Sequence, residues 1–244
     1  MPQSTRGYGA PVPEPTPHLN PAADLAERVL LPGDPHRALA LAQSLLDSPR
    51  MFNTRRGLWG YSGTAADGAP LTIQSTGMGG PSAAIVVEEL IRLGARRLVR
   101  TGTCGAFDPD LELGEVVTVG EVIPADGASR ALGADGRLRP DASLTAALKE
   151  NGAGRDVCAV SADLFYDPDP ARAEAWVADG AAVVEMEAAA VLVTAARHGV
   201  QAACVLMVTD LLSGSDRKRM DHDEIEIRAA RLGEVALAAL ARDE

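Results

Sequence analysis

Two apolar periods alternate along this chain, and that alternation constrains its fold more than any other feature. Short β-branched runs fall at residues 28–31, 71–74, 98–100, 115–119, 157–161 and 203–208. Stretches of helical spacing lie between many of them, at 35–46, 81–93, 144–150, 170–177 and 185–198. A last stripe steps through Ile225, Ala229, Leu232, Ala236 and Leu240. Strands that alternate with helices predict an α/β fold with a mixed, largely parallel sheet covered on both faces. At 244 residues and 46% apolar, the chain can bury a large core without disulfides or metals. Residues 1–17 carry Pro2, Pro11, Pro13, Pro15 and Pro17 and read as a flexible N-terminal tail. The remainder, 18–244, reads as one domain, and the polar stretch 125–143 as a surface excursion.

Charge narrows the function. The 34 acidic residues outnumber the 23 basic ones, for a net −11 that repels nucleic acid and anionic membranes. No apolar run approaches the roughly 20 residues that cross a bilayer, and the N-terminus lacks the order of a signal peptide. Cys104, Cys158 and Cys204 stand far apart with no CxxC, so neither a zinc nor a thiol redox site is expected, and a reducing cytoplasm is the simple reading. Any anion site must be built locally, from a few arginines and backbone donors.

The unusual polar groups come just after the apolar runs, where open α/β sheets bind ligands. Pro32-Gly33-Asp34-Pro35-His36-Arg37 opens a helix; Gly33 allows close approach, and Arg37 sits in a first turn whose dipole opposes its charge. The competing reading is a turn capped by Asp34. Arg100-Thr101-Gly102-Thr103-Cys104-Gly105 follows a buried run, where an arginine is costly unless a carboxylate or an anion pairs with it. It matches neither a Walker loop nor GxGxxG. Glu185-Met186-Glu187 opens an alanine-rich helix; its acids suit the helix dipole, or Glu187 accepts from sugar hydroxyls while Met186 packs on the sugar. Asp210 ends a buried run and could be a proton donor with a raised pKa, a cap, or a partner for Arg100. Phe165 and Tyr166 could stack on a flat heterocycle or fill core.

Eight segments together resemble the nucleoside phosphorylase family, which includes the hexameric bacterial purine nucleoside phosphorylases and the uridine phosphorylases. They are Thr16-Pro17-His18, 31–38, Arg56-Gly57-Leu58-Trp59-Gly60-Tyr61, 76–82, 100–105, 161–166, 185–189 and Val208-Thr209-Asp210, in family order. The resemblance implies a single-domain, three-layer αβα sandwich, assembled as dimers and usually as three dimers per hexamer. It implies reversible phosphorolysis of a nucleoside to free base and ribose 1-phosphate, with no metal or organic cofactor. Gly33, Arg37, Arg100 and Thr103 would hold phosphate, joined by Arg56 of the neighbouring subunit. Met78, Met186 and Glu187 would hold ribose, with His18 crossing the same interface. Phe165 and Val184 would line the base pocket, and Asp210 would protonate the base. An arginine of the following loop assists that acid in the purine enzymes. Here the loop 211–219 departs in sequence, leaving Arg217 and Arg219 as candidates, with Arg217 assigned beside Asp210. The purine branch is expected. The alternatives are a uridine phosphorylase, a nucleosidase of the same fold, or a non-catalytic nucleoside- or phosphate-binding protein.

Overall fold

The computed structural model describes residues 16–213 and 217–241. Each of the six β-branched runs forms the heart of a strand. The elements run β1 (Arg28–Pro32), α1 (Pro35–Leu45), β2 (Leu46–Asn53), a 3-10 turn (Arg55–Gly57), β3 (Gly60–Ala65), β4 (Pro70–Gln74), α2 (Gly80–Leu93), β5 (Arg97–Ala106), β6 (Val116–Pro124) and α3 (Gly127–Ala131). They continue with α4 (Ala142–Glu150), β7 (Arg155–Ser161), α5 (Pro170–Ala178), β8 (Val183–Glu185), α6 (Ala188–Arg197), β9 (Gln201–Leu211), β10 (Lys218–Arg219) and α7 (His222–Ala239).

Most of the helices start where the sequence offers an aspartate. Asp34, Asp141, Asp169 and Asp221 accept from free backbone N–H groups at the starts of α1, α4, α5 and α7. Helix α2 stops at Gly94, whose φ of 119° closes the last turn onto the carbonyls of Leu90 and Ile91.

The strands form one mixed sheet in the order β10-β9-β6-β7-β8-β5-β1-β4-β3-β2. Alternate residues of its central strands enter opposite cores, as a two-residue period requires. Val29, Leu31, Leu98, Cys204, Leu206 and Val208 pack with α2 and α6. Leu30, Val99, Ala203, Val205 and Met207 pack with α1, α4 and α7. The result is a three-layer sandwich, and burial of both faces explains why these strands read as unbroken apolar runs.

Parallel pairing is confined to β4-β1-β5-β9 and β6-β7-β8; the other pairs are antiparallel. Strand β5 is long enough to have three neighbours. It pairs with β1 and β9 along its length, and Gly105 and Ala106 at its end pair with β8. Strands β5, β9, β6, β7 and β8 therefore close into a ring, which brings their ends to one place.

Five details depart from the sequence reading. The strand expected to end at residue 100 runs on to Ala106, so Arg100 lies inside a strand. Strands β2 and β3 escape the pattern; β2 is exposed over most of its length and so carries no apolar run. Helix α6 begins at Ala188 rather than 185, because Glu185 belongs to β8. The excursion 125–143 contains α3 and returns to β6 through Val122 and Leu138. Of the tail expected at 1–17, residues 1–15 lie outside the described residues; Thr16 is buried, and its hydroxyl donates to the carbonyl of Leu19 at 2.8 Å.

Candidate active site

Arg100 anchors the site. Its side chain is almost wholly buried and pairs with two buried carboxylates, Glu185 at 2.8 Å and Glu187 at 2.6 Å. Gly102 makes this possible: it faces the same side of β5, and a Cβ there would lie 2.7 Å from Nη2 of Arg100. Burial alone would lower the guanidinium's pKa, but Glu187 and Glu185 outweigh it and hold it above its ordinary value. One nitrogen, Nη1, is buried with no hydrogen-bond partner. Such an orphan donor on a charged group costs on the order of 1–3 kcal/mol unless a ligand meets it. A buried ion triad is also a poor stabiliser compared with apolar packing. The arrangement points to an anion or polar ligand at Nη1.

The competing reading of Arg100 as an internally paired residue is thus half realised, with glutamates rather than Asp210. Glu185 organises the cluster. Its carboxylate receives Arg100, the hydroxyl of Ser161, the N–H of Glu187 at 2.9 Å and that of Ala188 at 2.9–3.0 Å. Ser161 in turn accepts the N–H of Ala189 at 2.9 Å. The sequence reading gave Glu185 no role of its own; the signal was a second acid two residues before Glu187. The Glu187 carboxylate also accepts the N–H of Gly79 at 2.5 Å. Burial, reinforced by Glu185, raises its pKa above the ordinary carboxylate value against the pull of Arg100.

The β1 and β4 ends form one wall. The N–H of Gly77 donates to the carbonyl of Gly33 at 3.0 Å, so the two glycine turns lie side by side. A Cβ on Gly33 would stand 3.4 Å from the Gly77 carbonyl oxygen. Asp34 occupies the first N–H groups of α1, those of His36 at 2.6 Å and Arg37 at 3.1 Å, so its capping role is real. Arg37 lies within reach of the cluster's charge: burial lowers its pKa, Asp34 opposes it, Arg100 lowers it further, and Glu187 opposes it as well. Met78 projects from this wall and is 86% exposed. Met186 and Thr103 are half-buried at the same strand ends.

The other end of the site is made by sheet register. Gly105 of β5 pairs with Val184 on one side and Asp210 on the other. Asp210 is half-buried rather than sunk in the core; its carboxylate accepts the Thr209 hydroxyl at 2.8 Å. The structure brings Arg219 to it, not Arg217. Arg219 pairs with Asp210 across β10 and β9, with Nε 3.4 Å from the carboxylate. Its guanidinium also lies 5.5 Å from the ring centre of Phe165. Arg217 is exposed. Phe165 and Tyr166 are exposed rings meeting edge to face at 5.0 Å.

Two of the expected residues stand apart. Among the described residues, no hydrogen bond or ion pair joins His18 or Arg56 to the Arg100 cluster. Arg56 is exposed on the 3-10 turn with φ 59°, a left-handed conformation that is costly for a side-chain-bearing residue. His18 is held at α2. No cluster of three or more His, Cys, Asp or Glu fit for a metal occurs among the described residues, and no described helix is long and apolar enough to cross a membrane.

Comparison with known proteins gives a consistent result. The family model described as "Phosphorylase superfamily" matches residues 27–242. A protein of Geobacillus kaustophilus named purine nucleoside phosphorylase DeoD-type is 35% identical over 229 residues, covering 90% of this chain and 95% of the relative. Relatives of the same name from Caldanaerobacter subterraneus and Jannaschia are 36% and 37% identical, covering 84% and 87% of this chain and 94% and 97% of their own lengths.

Proposed function

The chain belongs to the phosphorylase superfamily, and from that premise we propose that it is a purine nucleoside phosphorylase, a pentosyltransferase that cleaves purine nucleosides with phosphate. The observation that carries the phosphate is the unpartnered Nη1 of buried Arg100, with Arg37 close enough to feel its charge. Two cations would be wasted on water, which is neutral.

In the proposed reaction a phosphate oxygen bonds to C1′ as the C1′–N9 bond breaks. Positive charge builds on the sugar and negative charge on the leaving base. Phosphate on Gly33, Arg37, Arg100 and Thr103 stabilises the first, with Arg56 supplied by a neighbouring chain. Glu187 accepts from the ribose hydroxyls, Met78 and Met186 cover the sugar, and His18 of the neighbour completes the pocket. Val184 and Phe165 line the base. Asp210 gives its proton to N7, and Arg219, in place of Arg217, stabilises the carboxylate left behind; the 3.4 Å contact supports that choice. No cofactor is needed, because phosphate is both anion and nucleophile. The part-exposed His18 and the exposed Arg56, neither joined to the Arg100 cluster, support sites completed across a dimer; the family reading extends this to three dimers per hexamer, working in the cytoplasm on nucleoside salvage.

The test is release of free base from inosine, guanosine, adenosine and uridine, each with and without phosphate. Phosphate-dependent release from the purines alone is expected. Uridine turnover would move the chain to the pyrimidine branch, and release without phosphate would make it a hydrolase. Asp210→Asn should lower kcat by about a hundredfold or more, with little change in nucleoside affinity. An unaltered phosphate KM in Arg100→Ala would remove the phosphate site from Arg100.

A further inference from the structure

Glu89, on α2, belongs to none of the groups assigned above, yet it is one of few buried carboxylates, 4% exposed. It spends its whole hydrogen-bonding capacity on one segment. The N–H of His18 donates to both oxygens at 3.0 and 3.1 Å, the N–H of Leu19 donates at 2.7 Å, and Nδ1 of the His18 ring lies 2.6 Å away. No basic side chain pairs with Glu89 among the described residues; its counter-charges are backbone N–H groups and the imidazole. Burial would raise its pKa, but these donors prevail and hold it below the ordinary value, so it is a carboxylate at neutral pH.

A carboxylate cannot donate, so at 2.6 Å the shared proton belongs to Nδ1. The other nitrogen, Nε2, meets no partner among the described residues, and the ring is 32% exposed. With the proton on Nδ1, Nε2 of the neutral tautomer is a lone-pair acceptor, on a ring that is part-exposed at the surface.

We propose that Glu89 is a positioning residue: it fixes the ring orientation and the Nδ1–H tautomer of His18, so that Nε2 accepts a sugar hydroxyl in the neighbouring subunit's site. The inference rests on the placement of His18 at that sugar. It adds the direction of the hydrogen bond and the residue that sets it. The backbone bonds from His18 and Leu19 anchor the segment on α2; the ring bond decides which nitrogen is left free.

The test compares His18→Ala, Glu89→Gln and the double variant with the parent enzyme, reading inosine kcat and KM, oligomeric state and melting temperature. The chain has only four histidines, so the His18 ring signals in ¹⁵N-histidine spectra are those absent from His18→Ala. At about pH 9 the parent should show His18 protonated at Nδ1, and Glu89→Gln should shift it toward Nε2–H. Glu89→Gln should raise KM by about tenfold with little change in kcat, and the double variant should match His18→Ala, as expected for residues acting in series. An Nε2–H ring in the parent would overturn the proposal without any variant having to fold. So would a double variant whose losses add, or a Glu89→Gln enzyme with parental KM beside an impaired His18→Ala. A parental KM in His18→Ala would instead overturn the placement of His18 at the sugar, and the proposal with it.

Discussion

Arg56 and Ser48 are the non-glycine residues with positive φ among those described, at 59° and 48°. The turn that holds Arg56 there is pinned from below: the amide of Asn53, 1% exposed, donates to the carbonyl of Leu58 at 2.6 Å. A strained cation on an exposed turn suits recognition better than stability. Arg56→Gly should therefore keep or raise the melting temperature, relieving about 1 kcal/mol of strain, while raising the phosphate KM at least about tenfold. A lower melting temperature with normal phosphate use would reverse this account. Arg219 argues at the same scale. Its register opposite Asp210, not its place in the sequence, selects it over Arg217, because two residues along a loop cannot be ranked until one of them is paired.

At the scale of elements, strand β5 is the decisive piece. Leu98 and Val99 fill the two cores, and from Arg100 the strand also carries polar groups of the site while Cys104 and Ala106 stay in the core. Gly102 leaves room for the Arg100 guanidinium, and Gly105 leaves room for Leu212, whose side chain a Cβ would approach to 2.7 Å. Gly102→Ala should displace Arg100 from Glu187 and raise the phosphate KM by about tenfold or more, with a smaller loss of melting temperature; a normal KM would show that the guanidinium tolerates the methyl group. The β1 strand is tied to the β3–β4 turn by Arg28, which donates to Asp67 and to the carbonyls of Ala69 and Pro70, each at 2.7 Å. The hydrogen bond from Arg28 holds the Asp67 carboxyl at about 2, below its ordinary 3.8. A depressed pKa contributes stability above the ordinary value and loses it as pH falls from about 4 through about 2. Asp67→Asn should thus be less stable than the parent at neutral pH, and the gap should close over that acid range in a melting series.

At the scale of the molecule, each chain carries the Arg100 cluster and Asp210, while among the described residues no hydrogen bond or ion pair joins His18 or Arg56 to them. If sites are completed across a dimer, two dead variants can rescue each other. Arg56→Ala and Asp210→Asn, unfolded together and reassembled at equal amounts, should recover about a quarter of parental activity, since half of random dimers are mixed and one of their two sites is intact. Sites complete within one chain would give no recovery. The acidic surface fits the proposed design: net charge −11 repels anions at long range, so an anion bound as proposed would be held by the short-range Arg100 cluster.

The sequence by itself determined the α/β class, the six principal strands, the aspartate cap of α1 and most of the segments that meet around Arg100. These follow from local rules: periodicity of apolar residues, capping, and the cost of an arginine after a buried run. Only the tertiary structure decided how the strands close into a ring, that Arg100 lies within β5, that Glu185 rather than Asp210 balances it, and that Arg219 is the arginine at Asp210. Each of these depends on partners between 9 and 105 residues apart along the chain, brought together by register between strands that are neighbours in space. Periodicity reports which face of an element is buried; it carries no information about which element will lie beside it.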